Sequence, residues 1–173
     1  KVVERLALNH TDLHVVIPTV STVNSLIKKT KISGVPVTII ENPKDKFAAY
    51  SASDIAITAS GTASLELACA LVPAVVIYKV SWLTGLFARL LLNVKHVSIV
   101  NLIAQKEVFP EFIQENCNET KIYNEVNRLI TDSNLRHKII TEESSVIKKL
   151  QTVESSPSRK AALEVMRIKQ EFK

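Results

Sequence analysis

The stretch Asp54-Ile-Ala-Ile-Thr-Ala-Ser-Gly-Thr-Ala-Ser-Leu-Glu66 decides the fold of this chain. Its apolar run to Thr58 predicts a buried strand, and residues 62–71 carry apolar side chains at helical spacing. Only small residues separate the two, so a strand, a turn and a helix follow one another directly. Open α/β sheets bind ligands at the carboxyl ends of such strands, so we expect the binding site at this turn.

The turn at Ser60, Gly61 and Thr62 has the chemistry of an anion site. Backbone N–H groups at a helix N-terminus lack intrahelical acceptors and lie at the positive end of the helix dipole. The hydroxyls of Ser60 and Thr62 add donors, and Gly61 has no Cβ to block a phosphate. A phosphate group is therefore the expected ligand, with an ordinary helix start as the alternative.

Glu66 lies one helical turn after Thr62. A capping box would need Ser or Thr three residues before the glutamate, and that position is Ala63. A carboxylate in this place can instead accept hydrogen bonds from ribose hydroxyls, as acidic residues do in other nucleotide-binding α/β folds. The turn and this carboxylate together fit a nucleotide site, and an ordinary helix start remains the alternative, because isolated small-residue turns are weak signals.

Alternating strands and helices on both sides predict a Rossmann-like parallel α/β sheet with flanking helices. The predicted strands are 13–17, 35–40, 54–58, 74–78 and 96–100. The predicted helices are 20–30, 43–52, 62–71 and 82–92, and nearly everything after Lys106 has a helical pattern. Ser156 and Pro157 begin a last helix. We therefore divide the chain into a domain at 1–155 and a C-terminal helix at 156–173.

Composition narrows the class of protein. The 173 residues are 46% hydrophobic and 23% charged, which excludes a disordered or collagen-like chain. The net charge of +5 favours anionic partners but is small for a nucleic-acid-binding domain, so no nucleic acid is expected. The 2 cysteines and 4 histidines show no metal-ligand spacing, so we expect neither a metal site nor a disulfide framework.

A cationic and apolar segment follows the predicted site. Residues 67–106 contain no acidic residue, whereas Lys79, Arg89, Lys95 and Lys106 are cationic. An apolar stripe with helical spacing consists of Trp82, Leu83, Leu86, Phe87, Leu90 and Leu91. Such a stripe usually packs against a core, and beside cations it can also lie on a membrane surface.

Four blocks of the chain resemble one enzyme family. They are Ser-Gly-Thr-Ala-Ser-Leu-Glu at 60–66, Pro-Ala-Val-Val-Ile-Tyr-Lys at 73–79, Val-Ser-Ile-Val-Asn-Leu-Ile-Ala at 97–104 and Val-Phe-Pro-Glu-Phe-Ile-Gln at 108–114. In this order they resemble the C-terminal half of bacterial lipid-A-disaccharide synthase, a glycosyltransferase of the GT-B fold. The resemblance implies an inverting, metal-independent transfer from UDP-2,3-diacylglucosamine to 2,3-diacylglucosamine 1-phosphate, with no cofactor.

The resemblance also implies roles for individual residues. Ser60, Gly61 and Thr62 would contact the pyrophosphate, Glu66 would bind the ribose, and Asn101 would face the donor site. Tyr78 and Lys79 match a Tyr-Arg pair of the family, and the lysine keeps the charge but loses the forked guanidinium. The chain has no Asp-x-Asp pair, which agrees with metal-free chemistry.

The resemblance further implies parts outside the chain. Lys1 to Leu8 has helical spacing without a start signal, so we expect the chain to be a piece of a longer protein. The resemblance implies that the acceptor-binding domain and the general base lie upstream, so this chain would bind the donor without turnover. A strand would be missing between those at 14–17 and 54–58, which should leave a gap in the sheet. The C-terminal helix would cross to the neighbouring domain or a partner chain. The oligomeric state is left open, with a homo-oligomer as one possibility. The implied location is the bacterial cytoplasm, on the surface of the inner membrane.

Two other functions fit the same residues. A UDP-sugar 2-epimerase shares the fold and the phosphate-binding helix, but it would need its own acid and base groups. A non-catalytic subunit could bind a UDP-sugar or recruit a partner to a membrane. Asn101, after a predicted strand, could also simply cap the next helix.

Overall fold

The computed structural model describes residues 1–30, 32–80, 95–151 and 157–171. The strands in this part are β1 (Val15–Pro18), β2 (Val37–Ile40), β3 (Ala56–Ala59), β4 (Ala74–Tyr78) and β5 (Glu111–Ile113). The helices are α1 (Val2–Ala7), α2 (Ser21–Lys29), α3 (Lys46–Ser51), α4 (Thr62–Cys69), α5 (Ile99–Ala104), α6 (Glu119–Thr131), α7 (Ser133–Leu150) and α8 (Pro157–Glu171), with a 3-10 turn at Gln114–Asn116. The expected α/β, Rossmann-like class with a helical end is confirmed.

The strands form two parallel sheets. β1 pairs with β2 in one, and β3, β4 and β5 lie in that order in the other. Over the described residues β1 and β3 do not pair, so the two sheets are separate at the place where the resemblance implies a missing strand.

The core surrounds β4. Ala74, Val75 and Val76 are fully buried, as expected for a central parallel strand covered on both faces. Leu67 and Ala68 of α4 pack from one side. The remaining buried members of this core are Leu6, Val72, Val100, Val108, Phe109, Ile122, Val126, Leu129, Ile139 and Val146. Helices α4, α6 and α7 therefore hold the three-stranded sheet in place.

The predicted strand at 96–100 is wrong. Ser98 instead caps α5, and its Oγ accepts a hydrogen bond from the Asn101 amide at 3.2 Å. The edge of β4 pairs with β5, which lies in the part of the chain predicted to be helical. The short apolar run at 97–100 fits the periodicity of a strand as well as that of a helix, and the strong cap at Ser98 favours the helix.

The helix expected at 43–52 begins only at Lys46, because the Asn42 side chain accepts from the Lys44 amide at 3.1 Å and holds a turn first. The helix predicted at 82–92, with its apolar stripe, lies outside the described residues.

Candidate functional site

The turn between β3 and α4 has the backbone that the sequence led us to expect. Gly61 is the N-cap of α4 and has φ 150° and ψ −162°, a conformation that side-chain-bearing residues rarely adopt. A Cβ on Gly61 would meet no atom of the described residues within 4 Å, so this part of the chain leaves the space beside the turn open. Glycine is therefore required here by the backbone, and a ligand can approach the backbone closely.

The start of α4 is held by one small side chain. Ser64 is fully buried, and its Oγ donates to the Gly61 carbonyl at 2.7 Å, with the Ser64 amide at 3.3 Å from the same oxygen. The amides before Ser64 have no intrahelical acceptor, as at every helix start. The amides that precede Ser64 are therefore the ones that could bind an anion at this helix start.

Ser60 is engaged in a different way from Thr62. The Ser60 hydroxyl donates its single proton to the Val97 carbonyl at 2.7 Å, whereas the Thr62 side chain is exposed. Ser60 can therefore only accept from a ligand in this state. Its hydrogen bond ties the turn to the segment before α5.

Glu66 lies on α4 with partners from α3. Its Oε1 accepts from Lys46 Nζ at 3.0 Å, and its Oε2 is 3.4 Å from the Tyr50 hydroxyl. The hydrogen bond to Glu66 raises the pKa of Lys46, and burial raises the pKa of Tyr50. A carboxylate has about four acceptor directions, so these two partners leave room for ribose hydroxyls.

Tyr78 and Lys79 lie at the same sheet edge as the turn. The register places Ala59 opposite Ile77, so Ser60 and Tyr78 follow directly on neighbouring strands. Both Tyr78 and Lys79 are exposed. The structure thus brings together five of the predicted site residues, Ser60, Gly61, Thr62, Tyr78 and Lys79, with Glu66 one turn away.

Asn101 has a role that the sequence did not reveal. It is fully buried, its Nδ2 donates to Phe109 O at 2.8 Å, and its Oδ1 accepts from the amides of Val108 and Phe109 at 2.8 and 2.9 Å. These bonds occupy the amide, so Asn101 neither caps α5 with its side chain nor faces an open site. The expectation that it faces the donor site is therefore corrected.

Three further residues belong to the site region and were missed. Glu111 accepts from Asn101 Nδ2 at 2.9 Å and from backbone amides before α5, and Lys46 and Tyr50 contact Glu66. A glutamate between Phe109 and Phe112 was a usable signal, because carboxylates are rarely buried without partners. No local pattern pointed to Lys46 or Tyr50.

The described residues contain neither a metal-binding cluster nor a helix that could span a membrane. No group of three or more His, Cys, Asp or Glu side chains in them is placed to hold a metal ion. None of the helices in the described part of the chain combines the length and apolar character needed to cross a bilayer.

A parallel α/β sheet with a glycine turn at the carboxyl end of a strand defines a Rossmann-like domain. The family model for lipid-A-disaccharide synthetase matches residues 1–165, and the chain belongs to this family. The resemblance drawn from the four sequence blocks is thereby confirmed.

Curated relatives agree with the family. The lipid-A-disaccharide synthase of Gluconobacter oxydans is 38% identical over 170 residues, which cover 96% of this chain and 40% of the relative. That of Rickettsia canadensis is 34% identical over 161 residues, 93% of this chain and 41% of the relative. That of Paramagnetospirillum magneticum is 37% identical over 160 residues, which cover 91% of this chain and 41% of the relative. The chain spans about two fifths of the length of these relatives.

Proposed function

We propose that this chain forms the donor-nucleotide site of a glycosyltransferase in lipid A synthesis. The observation that carries the proposal is the turn at Gly61, which leaves open space beside the N-terminus of α4. Helix amides in this position bind phosphates in many α/β proteins. Membership of the lipid-A-disaccharide synthetase family supports a UDP-linked donor and favours glycosyl transfer over the 2-epimerase alternative.

The proposed reaction transfers the sugar of UDP-2,3-diacylglucosamine to 2,3-diacylglucosamine 1-phosphate, with inversion at the anomeric carbon. An acceptor hydroxyl forms the new C–O bond and loses its proton to a general base, while the bond to the diphosphate oxygen breaks. Negative charge grows on the departing UDP, and the amides at the start of α4 stabilise it. Lys79 adds a cation at the same sheet edge, which supports chemistry without a metal ion.

Glu66 is the proposed ribose ligand. Its carboxylate lies one turn into α4, and long helical side chains lean towards the helix N-terminus, where the diphosphate would bind. Lys46 and Tyr50 hold the carboxylate from α3. Tyr78 would contact the same nucleotide from the end of β4.

The acceptor site and the general base are proposed to lie in a domain outside this chain, which spans about two fifths of its relatives. The segment 156–173 suits packing against that domain or a partner chain, because Leu163, Val165 and Met166 of α8 are 56%, 66% and 60% exposed. Acylated substrates favour a location on the cytoplasmic face of the inner membrane.

Calorimetric titration with UDP, UMP and uridine tests the nucleotide site. We expect UDP to bind more tightly than UMP, because the turn would hold the second phosphate. Lys79→Ala should weaken UDP binding, whereas Lys138→Ala, an exposed lysine on α7, should not. Equal affinity for UDP and uridine would contradict the proposal. Flotation with phosphatidylglycerol vesicles, against phosphatidylcholine vesicles as the control, tests the membrane location.

A further inference from the structure

The Glu111 carboxylate binds the segment that carries the Ser60 contact. It accepts from the Ser98 amide at 2.7 Å through Oε1 and from the Val97 amide at 3.0 Å through Oε2. Asn101 Nδ2 adds a third donor at 2.9 Å, and the Glu111 side chain is only 5% exposed. Hydrogen bonds to an ionised acceptor are stronger than neutral ones, so this carboxylate holds residues 97 and 98 firmly.

One peptide plane joins Glu111 to Ser60. The bond between Val97 and Ser98 is trans, like every peptide bond in the described residues, so its C=O and N–H point in opposite directions. Because Glu111 binds the Ser98 N–H, the Val97 C=O is directed away from Glu111. It accepts from the Ser60 hydroxyl at 2.7 Å.

We propose that Glu111 is a positioning residue for the turn at residues 60–62, which would bind the diphosphate. It acts through the Val97–Ser98 peptide and the Ser60 hydroxyl. Ser60 directly precedes Gly61, so the position of its side chain determines where the first amides of α4 point. Glu111 itself does not touch the ligand. Asn101 fixes Glu111 in turn, since its other bonds tie it to the backbone at Val108 and Phe109.

This inference rests on the proposed nucleotide site, and a double-mutant cycle tests it separately. UDP affinity is measured by calorimetry for the purified protein and for Glu111→Gln, Ser60→Ala and the double variant. Each single variant should weaken UDP binding by about tenfold, the size of one lost hydrogen bond. The double variant should lose no more than the weaker-binding single variant, because both changes break one chain of contacts.

Two further variants separate positioning from general stability. Glu107→Gln, at an exposed glutamate, should leave UDP affinity unchanged. If Glu111→Gln does not fold, Ser60→Thr and Ser60→Ala test the hydrogen bond between Ser60 and the Val97 carbonyl. The variant that keeps the hydroxyl should bind UDP more tightly than the one without it.

The outcomes are distinguishable. No UDP binding by the wild-type protein would overturn the proposed function. Wild-type binding together with full affinity in folded Glu111→Gln, or in Ser60→Ala, would overturn the positioning role alone. Additive losses in the double variant would also overturn it, because Glu111 and Ser60 would then act by separate routes.

Discussion

Lys46 Nζ lies 2.8 Å from Glu66 Oε2, and this ion pair joins the first residue of α3 to the middle of α4. The two side chains are 41% and 37% exposed, so the pair contributes little to stability. Its position matters more, because it orients the carboxylate proposed to bind ribose. Lys46 is therefore expected to affect ligand binding more than folding.

Ligand selectivity tests this pair. Glu66→Ala should weaken UDP binding by about tenfold and leave pyrophosphate binding unchanged, because only UDP carries a ribose. Lys46→Met should weaken UDP binding about two- to threefold, since it removes only the orienting charge. Calorimetry with both ligands measures the difference, and Glu107→Ala is the control. If Glu66→Ala bound UDP with the same affinity as the wild type, Glu66 would not be a ribose ligand.

Gly61→Ala should affect both stability and binding. Its φ of 150° makes any side chain strained, so we expect a loss of roughly 1–3 kcal/mol in the free energy of unfolding. The new methyl group would also occupy the open space beside α4 and block the diphosphate.

Gly34→Ala is the matched control, because Gly34 also has a positive φ, 79°, in another part of the chain. It should lower stability without changing UDP affinity. Chemical denaturation and calorimetry separate the two effects. A Gly61→Ala variant that is less stable but binds UDP normally would show that the ligand lies elsewhere.

Asn101→Ala should be strongly destabilising. The change leaves the buried amides of Val108 and Phe109 without their acceptor, at a cost of roughly 2–5 kcal/mol. Asn124→Ala, at an exposed position on α6, should be almost neutral. Urea unfolding followed by circular dichroism measures both. If stability were unchanged while UDP binding was lost, Asn101 would be a ligand contact after all.

Glu143 should make stability depend on pH. It is fully buried on α7, neither carboxyl oxygen has a partner among the described residues, and burial raises its pKa from 4.5 to about 8. Between these pH values the folded state holds a proton that the unfolded state has lost, so stability falls as pH rises. The fall should total roughly 4–5 kcal/mol and level off above pH 8.

Glu143→Gln removes this titration. The variant should match the wild type near pH 4.5 and exceed its stability at pH 8. Glu142→Gln is the control, because Glu142 forms an ion pair with Lys106 and should not show this gain. Thermal unfolding at several pH values provides the comparison. Parallel profiles for wild type and Glu143→Gln would mean that the carboxyl group has a partner in solution.

The strand, turn and helix at 54–66 could be predicted because their signals are local. An apolar run, small turn residues and helical spacing lie next to one another in the chain. The segment at 97–100 could not be assigned in this way, since Val-Ser-Ile-Val suits a short strand as well as a helix start. The Ser98 cap favours the helix locally, and Glu111, 14 residues from Val97, binds the amides of residues 97 and 98 that precede it.

The order of strands and helices as far as β4 and the place of the glycine turn followed from the amino-acid sequence alone, because periodicity and backbone preference act over a few residues. The family followed from the resemblance of four sequence blocks, whereas β5 was missed. Only the tertiary structure decided which polar groups meet. Ser60 binds a carbonyl 37 residues away, and Lys46 binds a carboxylate 20 residues away. Such partners come together only when the sheet and its helices pack. Burial then gives Asn101 a purely internal set of hydrogen bonds.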